Sequence, residues 1–396
     1  MTDAPQFPFP DLPGVGLDSG YACRYREQPL IPVRIRGDHP ALLVTGHADV
    51  RTVLSDDRFS REAWGGGTMF ARDSASLALV TSDPPTHTAR RRAVQAAFTH
   101  RQAELARPRI QQLADELLDA VAAADQPVDL VEAYLRPLPY RVICELVGVP
   151  AADIDLLQPW VDVMMSAGAY DPAEVAAARE RMFGYFADQV RDRRRRADAG
   201  TPAADLLGTL VAAPEPLSET ELVVMAFGLV MAGGETAANH LAMCTHHVLA
   251  DPALQARLRA HPEQIPAAVE ELLRWVWFAG TGGQPHVALA DVALAGTVIA
   301  AGQVVVPLTD AANRCPAAFD EPDEFRPDRS PNPHLGFGYG RHLCLGAPHA
   351  RVELQVALAT LLRRFPHLHL DTTEVTWRDR MFLRSMDRLP VTWPRE

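Results

Sequence analysis

Residues 337–346 read Phe337-Gly338-Tyr339-Gly340-Arg341-His342-Leu343-Cys344-Leu345-Gly346 and lead through Ala347 into an amphipathic run from Arg351 to Leu362. A glycine-rich loop here delivers a cysteine to the start of a helix. Three chemistries compete for it. A dinucleotide-binding turn would use the glycines at 336, 338 and 340, but it should follow a buried parallel strand, and Asn332-Pro333 stands there instead. A zinc site would draw on His334, His342, Cys344 and His349, whose spacing matches neither CxxC nor HExxH. The third is a lone thiolate, which backbone N–H groups and the helix dipole favour at a helix N-terminus. Such a sulfur suits a haem iron. Gly338 and Gly340 let the backbone approach it, Phe337 shields it from water, and Gly346 with Ala347 leaves room for a flat macrocycle. For an isolated cysteine, a buried structural role is the plain alternative.

The rest of the chain narrows the class. At 396 residues with 47% hydrophobic and 22% charged side chains, it has the apolar material for a sizeable core. A formal net charge of -12 argues against nucleic acid and anionic membrane surfaces as partners. Cys23, Cys144, Cys244, Cys315 and Cys344 are odd in number and scattered, which fits a reducing cytoplasm better than a disulfide framework. The Pro-rich start carries Asp3, Asp11 and Asp18 and shows no export signal, so a cytoplasmic protein is expected. The apolar run Leu222 to Gly233 falls short of the roughly 20 residues of a membrane helix and leads to Glu235; it reads as a buried helix.

Val33 to Thr45 reads as a hairpin, and Ala48 to Leu54 and Ile110 to Val121 as amphipathic helices. Ser60 to Ser82, with Trp64, Met69 and Phe70, reads as a long functional loop. Asp171-Pro172, Asp251-Pro252 and the Ser218/Glu221 pair mark helix starts, and Arg193 to Arg196 a solvated helix end. Short β-branched runs between His286 and Leu308, at Val375 to Trp377 and at Leu389 to Trp393 predict small sheets beside a helical body. No repeat or long linker divides the chain, so one domain over residues 1–396 is expected.

The string around Cys344 resembles the haem-ligand signature of the cytochrome P-450 superfamily, and other segments match in order. Glu271-Leu272-Leu273-Arg274 resembles its structural Glu-x-x-Arg, with both charges on one helix face. Ala232-Gly233-Gly234-Glu235-Thr236 resembles its oxygen-activation segment, in which glycines loosen a helix and a hydroxyl beside a carboxylate relays protons. Helix packing for the glycines and a back-bonded threonine are the bland alternatives. His87 and Arg91, at i and i+4, together with His342, resemble its propionate donors, while Arg90 and Arg92 read as a solvated basic face. His286 stands where relatives usually have arginine, which would make that propionate contact titratable.

The resemblance implies a mainly α fold with small β-sheets, a single large domain enclosing haem b, with Cys344 on the metal. It implies a monooxygenase that hydroxylates or epoxidises a small molecule with dioxygen, in secondary metabolism of the polyketide, macrolide or modified-peptide kind. Oxidative aromatic coupling, or ligand binding without turnover, are the alternatives. The chain ends soon after Cys344, so electrons are expected from a separate ferredoxin or flavodoxin and its reductase. Trp64, Phe70, Met165, Val230, Phe278 and Phe382 fall in the family's substrate-facing regions.

Overall fold

Apolar residues three and four apart and well-formed caps build twelve α-helices among the described residues. They are α1 His47–Ser55, α2 Thr86–Val94, α3 His100–Ala123, α4 Pro137–Val147, α5 Ile154–Met164, α6 Pro172–Asp198, α7 Leu206–Val211, α8 Glu219–Ala250, α9 Pro252–Ala260, α10 Ile265–Trp275, α11 Thr309–Ala312 and α12 Ala347–Arg364. The strands are β1 Leu30–Ile35, β2 His39–Val44, β3 Phe59–Ser60, β4 Val128–Asp129, β5 His286–Ala288, β6 Val292–Leu294, β7 Thr297–Ile299, β8 Val304–Pro307, β9 His369–Leu370, β10 Thr376–Arg378, β11 Ser385–Arg388 and β12 Pro390–Thr392. The computed structural model describes residues 4–9, 14–17, 21, 25–36, 38–65, 78–215, 217–279 and 283–394. Cys23, Met69 and Phe70 lie outside the described residues, as does most of the expected long loop.

Two compact units emerge, each assembled from separated stretches. The first comprises Met1–Gly65, Ala260–Ala347 and Phe382–Arg384; the second comprises Gly66–Arg259, Pro348–Met381 and Ser385–Glu396. In the first, the predicted hairpin pairs β1 with β2, and the sheet runs β1-β2-β8-β5-β3, antiparallel except for the parallel β2–β8 pair. One face of this sheet packs with α1 around Val44, Val50, Val53, Phe59, Ile299 and Val305. The other packs Phe7, Tyr25, Ile31, Val33 and Leu43.

The second unit is centred on α8, a continuous 32-residue helix started by the Ser218/Glu221 capping box. It is long and apolar enough to cross a membrane, yet two-thirds of its most apolar window is buried in the protein. Sequence expectation and structure part at its glycines, because α8 runs unbroken through Gly233 and Gly234. A Cβ at Gly233 would stand 2.6 Å from Ile143 Cγ1, and one at Gly234 would stand 2.8 Å from Tyr140 Cε1. The glycines are there to let α4 approach, the packing alternative to a loosened helix.

Two basic expectations also change. Arg193 is buried, donating to the Gly148 carbonyl and, at 3.1 Å, to Asp205, which itself caps α7. Arg90 is buried too and pairs with Glu221 at 3.1 Å, while Arg92 is exposed as expected. A local rule for helix ends sees the charge but not its long-range partner.

Candidate active site

In the first unit the Cys344 loop is shaped by its own backbone. Gly338 N–H donates to the Leu335 carbonyl at 2.8 Å, Leu343 N–H to Gly340 at 3.0 Å, and Cys344 N–H to Phe337 at 2.9 Å. Gly338 and Gly340 take φ of +72° and +69°, which an L side chain adopts only with strain. Arg51 braces the loop from α1, with its guanidinium 4.3 Å from the Tyr339 ring centroid and 2.6 Å from its hydroxyl. Arg341 is tied to Asp57.

The result is an exposed thiol at the start of α12, next to Leu343, which is 43% exposed, and to Gly346, whose missing Cβ would meet nothing within 4 Å. Cys144 and Cys244 are buried, and burial pushes the first thiol up to about 12 and the second still higher. A soft donor held outward on a glycine loop, over open space, fits a flat haem. The zinc alternative loses a ligand, since His334 is 3.0 Å from Glu270 and accepts the Gly336 N–H at 3.2 Å.

Behind the loop lies a buried charge network. Glu271 and Arg274 have fully buried side chains and meet through two hydrogen bonds of 2.7 Å. Glu271 also accepts from Arg329 Nε at 3.0 Å, from the Arg326 N–H at 2.9 Å and from Asn332 at 3.2 Å. Arg274 donates to the carbonyls of Asn313, Pro322 and Glu324 at 2.9, 2.7 and 2.9 Å. Asn313 in turn accepts the Leu335 N–H at 2.7 Å, so the network ends on the residue that opens the cysteine loop. This is well beyond the surface i,i+3 pair that spacing alone describes.

His286 differs from expectation. Its ring is buried, Nδ1 is 3.0 Å from the Gln284 carbonyl, and Arg61 Nε donates to Nε2 at 3.1 Å. Burial, and then the Arg61 charge, hold its pKa well below the usual histidine range, so it is no cation.

In the second unit, Glu235 and Thr236 occupy different faces of α8, about 100° apart as consecutive helical residues are. Thr236, half-buried, lies with exposed Ala232 and half-buried Gly233 along the open stripe of an otherwise buried helix, and its hydroxyl donates back to the Ala232 carbonyl. Glu235 is buried on the α4 side. Tyr140 Oη donates to its Oε2 at 3.1 Å and Asn239 Nδ2 to its Oε1 at 3.0 Å. Ser385 Oγ donates to Asn239 at 2.7 Å, and Arg378, paired with Asp162 at 2.9 Å, stands 3.8 Å from Glu235. Burial, then the Asp162 charge, raises the Glu235 pKa against the pull of Arg136, Arg378 and Asn239.

On α2, His87 is buried and Arg91 half-buried, at i and i+4. Sequence reasoning missed Tyr140, Asn239, Ser385, Arg378, Asp162 and Arg61. Only Asn239, one turn beyond Glu235 on the same helix face, carried a local signal.

The apolar candidates divide. Val230 and Met165 are buried at 0% and 3% exposure and belong to the core. Trp64 packs edge-on against His39 beside the hairpin core. Phe278 and Phe382 stay half-exposed in the first unit, where Arg384 N–H donates to the Phe278 carbonyl at 3.1 Å.

An exposed cysteine on a glycine loop at a helix start, and a buried acid beside a hydroxyl on a long helix, define a haem-thiolate oxygenase class. The comparisons go further: the cytochrome P450 family model matches residues 140–389, and the chain belongs to that family. It is 42% identical over 399 residues to the mycinamicin IV hydroxylase/epoxidase of Micromonospora griseorubida, covering 98% of each chain. It is 40% identical to the nocardicin C N-oxygenase of Nocardia uniformis subsp. tsuyamanensis, covering 99% of each. The solved structure of HinD with NMFT and NO superposes with a TM-score of 0.91 at 41% identity, covering 98% of this chain and 99% of that one. The chain is a P450 monooxygenase of the mainly α fold with small sheets, and its cofactor is haem b, held through a cysteine thiolate.

Proposed function

We propose that residues 1–396 form one catalytic domain in which Cys344 would supply the thiolate that holds the haem iron and Glu235 with Thr236 delivers protons, hydroxylating or epoxidising a secondary metabolite of macrolide, polyketide or modified-peptide type. The observation that carries this is the outward Cys344 on its braced glycine loop. Haem b supplies the iron at which dioxygen is activated. His87, Arg91 and His342 would be its carboxylate donors, and Phe337, Gly338, Gly346 and Ala232 would leave it room.

The chain's own residues handle the protons. Glu235, with its raised pKa, keeps a proton at a pH where an exposed carboxyl has lost it. Tyr140 and Asn239 fix one oxygen each, so delivery requires the carboxyl to swing from the α4 side toward the open face of α8. Thr236 Oγ spends its own proton on Ala232 and keeps its lone pairs for an incoming donor. The relatives named as a hydroxylase/epoxidase and an N-oxygenase support oxygen insertion. Phe278 and Phe382 are candidate substrate contacts. A separate ferredoxin or flavodoxin with its reductase supplies electrons, and the unbridged cysteines among the described residues support a cytoplasmic setting.

The test is a Soret titration of the ferric protein with macrolides, polyketides and short peptides, followed by product mass under turnover. A spin-state shift and a product heavier by one oxygen support the proposal; loss of two hydrogens without oxygen gain would assign coupling instead.

A further inference from the structure

The backbone that carries Phe278 is held by a carboxyl so far without a task, that of Asp310 in α11. Its Oδ2 accepts the Ala279 N–H at 2.8 Å, and the Phe278 N–H also bears on it. The Phe278 carbonyl, in turn, accepts the Arg384 N–H at 3.1 Å. The carbonyl of Phe278 and the N–H of Ala279 are the two ends of one peptide unit, so Asp310 and Arg384 grip it from both sides and fix its plane. Arg384 is itself buried, with its guanidinium 4.3 Å from the Trp277 ring centroid. Phe382 lies two residues before Arg384, so both half-exposed rings, Phe278 and Phe382, hang from this one backbone crossing. All of these residues belong to the first unit.

The grip depends on charge. Asp310 is half-buried as a residue, but its carboxyl is packed among protein atoms, and that desolvation pushes its pKa up to about 6. The two backbone N–H groups, then the charges of Arg384 and Arg314, pull the other way and are outweighed. Those two guanidinium groups are the charges that face it, and Arg314 already donates to the Trp275 carbonyl. An ionised acceptor holds an N–H more tightly than a neutral one, so the grip is full above this pH and loosens as pH falls through it.

We propose that Asp310 is a positioning residue for substrate: by gripping the Phe278–Ala279 peptide together with the Arg384 N–H, it sets the rings of Phe278 and Phe382 as a wall for an aryl or other apolar part of the substrate. This rests on the reading of those two rings as substrate contacts. Asp310 acts through them, and a purely structural anchor would hold the wall equally at every pH.

The test compares two neutral iron ligands, benzyl isocyanide and methyl isocyanide, titrated into reduced holoenzyme and followed at the Soret band from about pH 5 to about pH 8. Both bind the iron through the same carbon, so the ratio of their affinities cancels the pH dependence of the iron itself and leaves the contribution of the wall. Wild type should prefer the benzyl ligand, and that preference should fall about fivefold as the carboxyl gains its proton, the difference between a charged and a neutral acceptor. Asp310→Asn should show the smaller preference at every pH, with no step. Should Asp310→Asn fail to load haem, Asp310→Ser keeps an acceptor without a charge and is expected to remove the step likewise. A wild-type preference that does not change with pH, or a step that survives in the Asp310 variants, would overturn the proposal while leaving the rings as substrate contacts. If wild type shows no benzyl preference at any pH and Phe278→Ala changes neither affinity, the rings are not substrate contacts, and the proposal falls with them.

Discussion

Replacing Glu271 by Gln keeps the side chain's shape and removes one charge from a site where the side chains of Glu271 and Arg274 are fully shut off from solvent. Arg274, with a fully buried side chain, and Arg329, 4% exposed, are then left facing a neutral amide. Breaking a buried pair from one side costs about 3–5 kcal/mol, a large share of the ~5–15 kcal/mol that holds an ordinary domain together. Replacing both partners with apolar residues usually recovers much of such a loss. Here it should not, because Arg274 also satisfies the carbonyls of Asn313, Pro322 and Glu324, and a methionine would orphan all three.

The order expected in thermal and urea unfolding of the holoenzyme is wild type, then Glu271→Gln, with Glu271→Leu/Arg274→Met no better than the single variant. Glu271→Gln should also weaken haem retention, since the network ends on Leu335 at the head of the cysteine loop. A loss under about 1 kcal/mol, or recovery in the apolar double variant, would refute this reasoning. The pH dependence follows from the same contacts. Burial on its own raises the Glu271 pKa, but Arg274, the Arg326 N–H and Arg329 together outweigh it and leave the group lowered. Its contribution is therefore complete above the unfolded carboxyl value of about 4.3 and is lost as pH falls through the lower folded value.

Other substitutions report on α8. Tyr140→Phe removes one of the two donors that hold the Glu235 carboxylate, so Glu235 should titrate still higher; the alkaline limb of the rate profile, where a proton donor is lost, should move up, with roughly 1.5–3 kcal/mol lost from stability. An unmoved profile would separate Tyr140 from the acid's function. Gly233→Ala drives a Cβ into Ile143 and should cost about 1–3 kcal/mol. Ile143→Ala should relieve part of that cost, and an additive double variant would contradict the packing explanation. Thr236→Ala should leave folding unchanged and divert reductant from product to peroxide or water, read as the ratio of product to reductant consumed; a wild-type ratio would remove Thr236 from proton delivery.

What could be read from the sequence was what short-range rules control. The capping residues Ser218 and Asp171, the β1–β2 hairpin, the cysteine loop and the Glu271/Arg274 spacing each depend on neighbours within a few residues. The errors share one physical origin. Arg193 and Arg90 look like solvated charge until Asp205 and Glu221 are brought to them by folding. Gly233 and Gly234 look like weak points until Ile143 and Tyr140 fill the space they leave. His286 looks like a donor until Arg61, 225 positions away, claims its free nitrogen. The partners of Glu235 were illegible for the same reason, since Tyr140 lies 95 positions away and Arg378 lies on β10.

The most direct test of the haem-thiolate assignment is the absorption spectrum of the reduced, carbon monoxide-treated protein, compared between wild type and Cys344→His. With Cys344 on the iron, wild type shows the red-shifted Soret band of a thiolate-ligated haem, and Cys344→His moves it to the position of a histidine-ligated one. A wild-type band already at the histidine position, or a red-shifted band that survives the substitution, would contradict it.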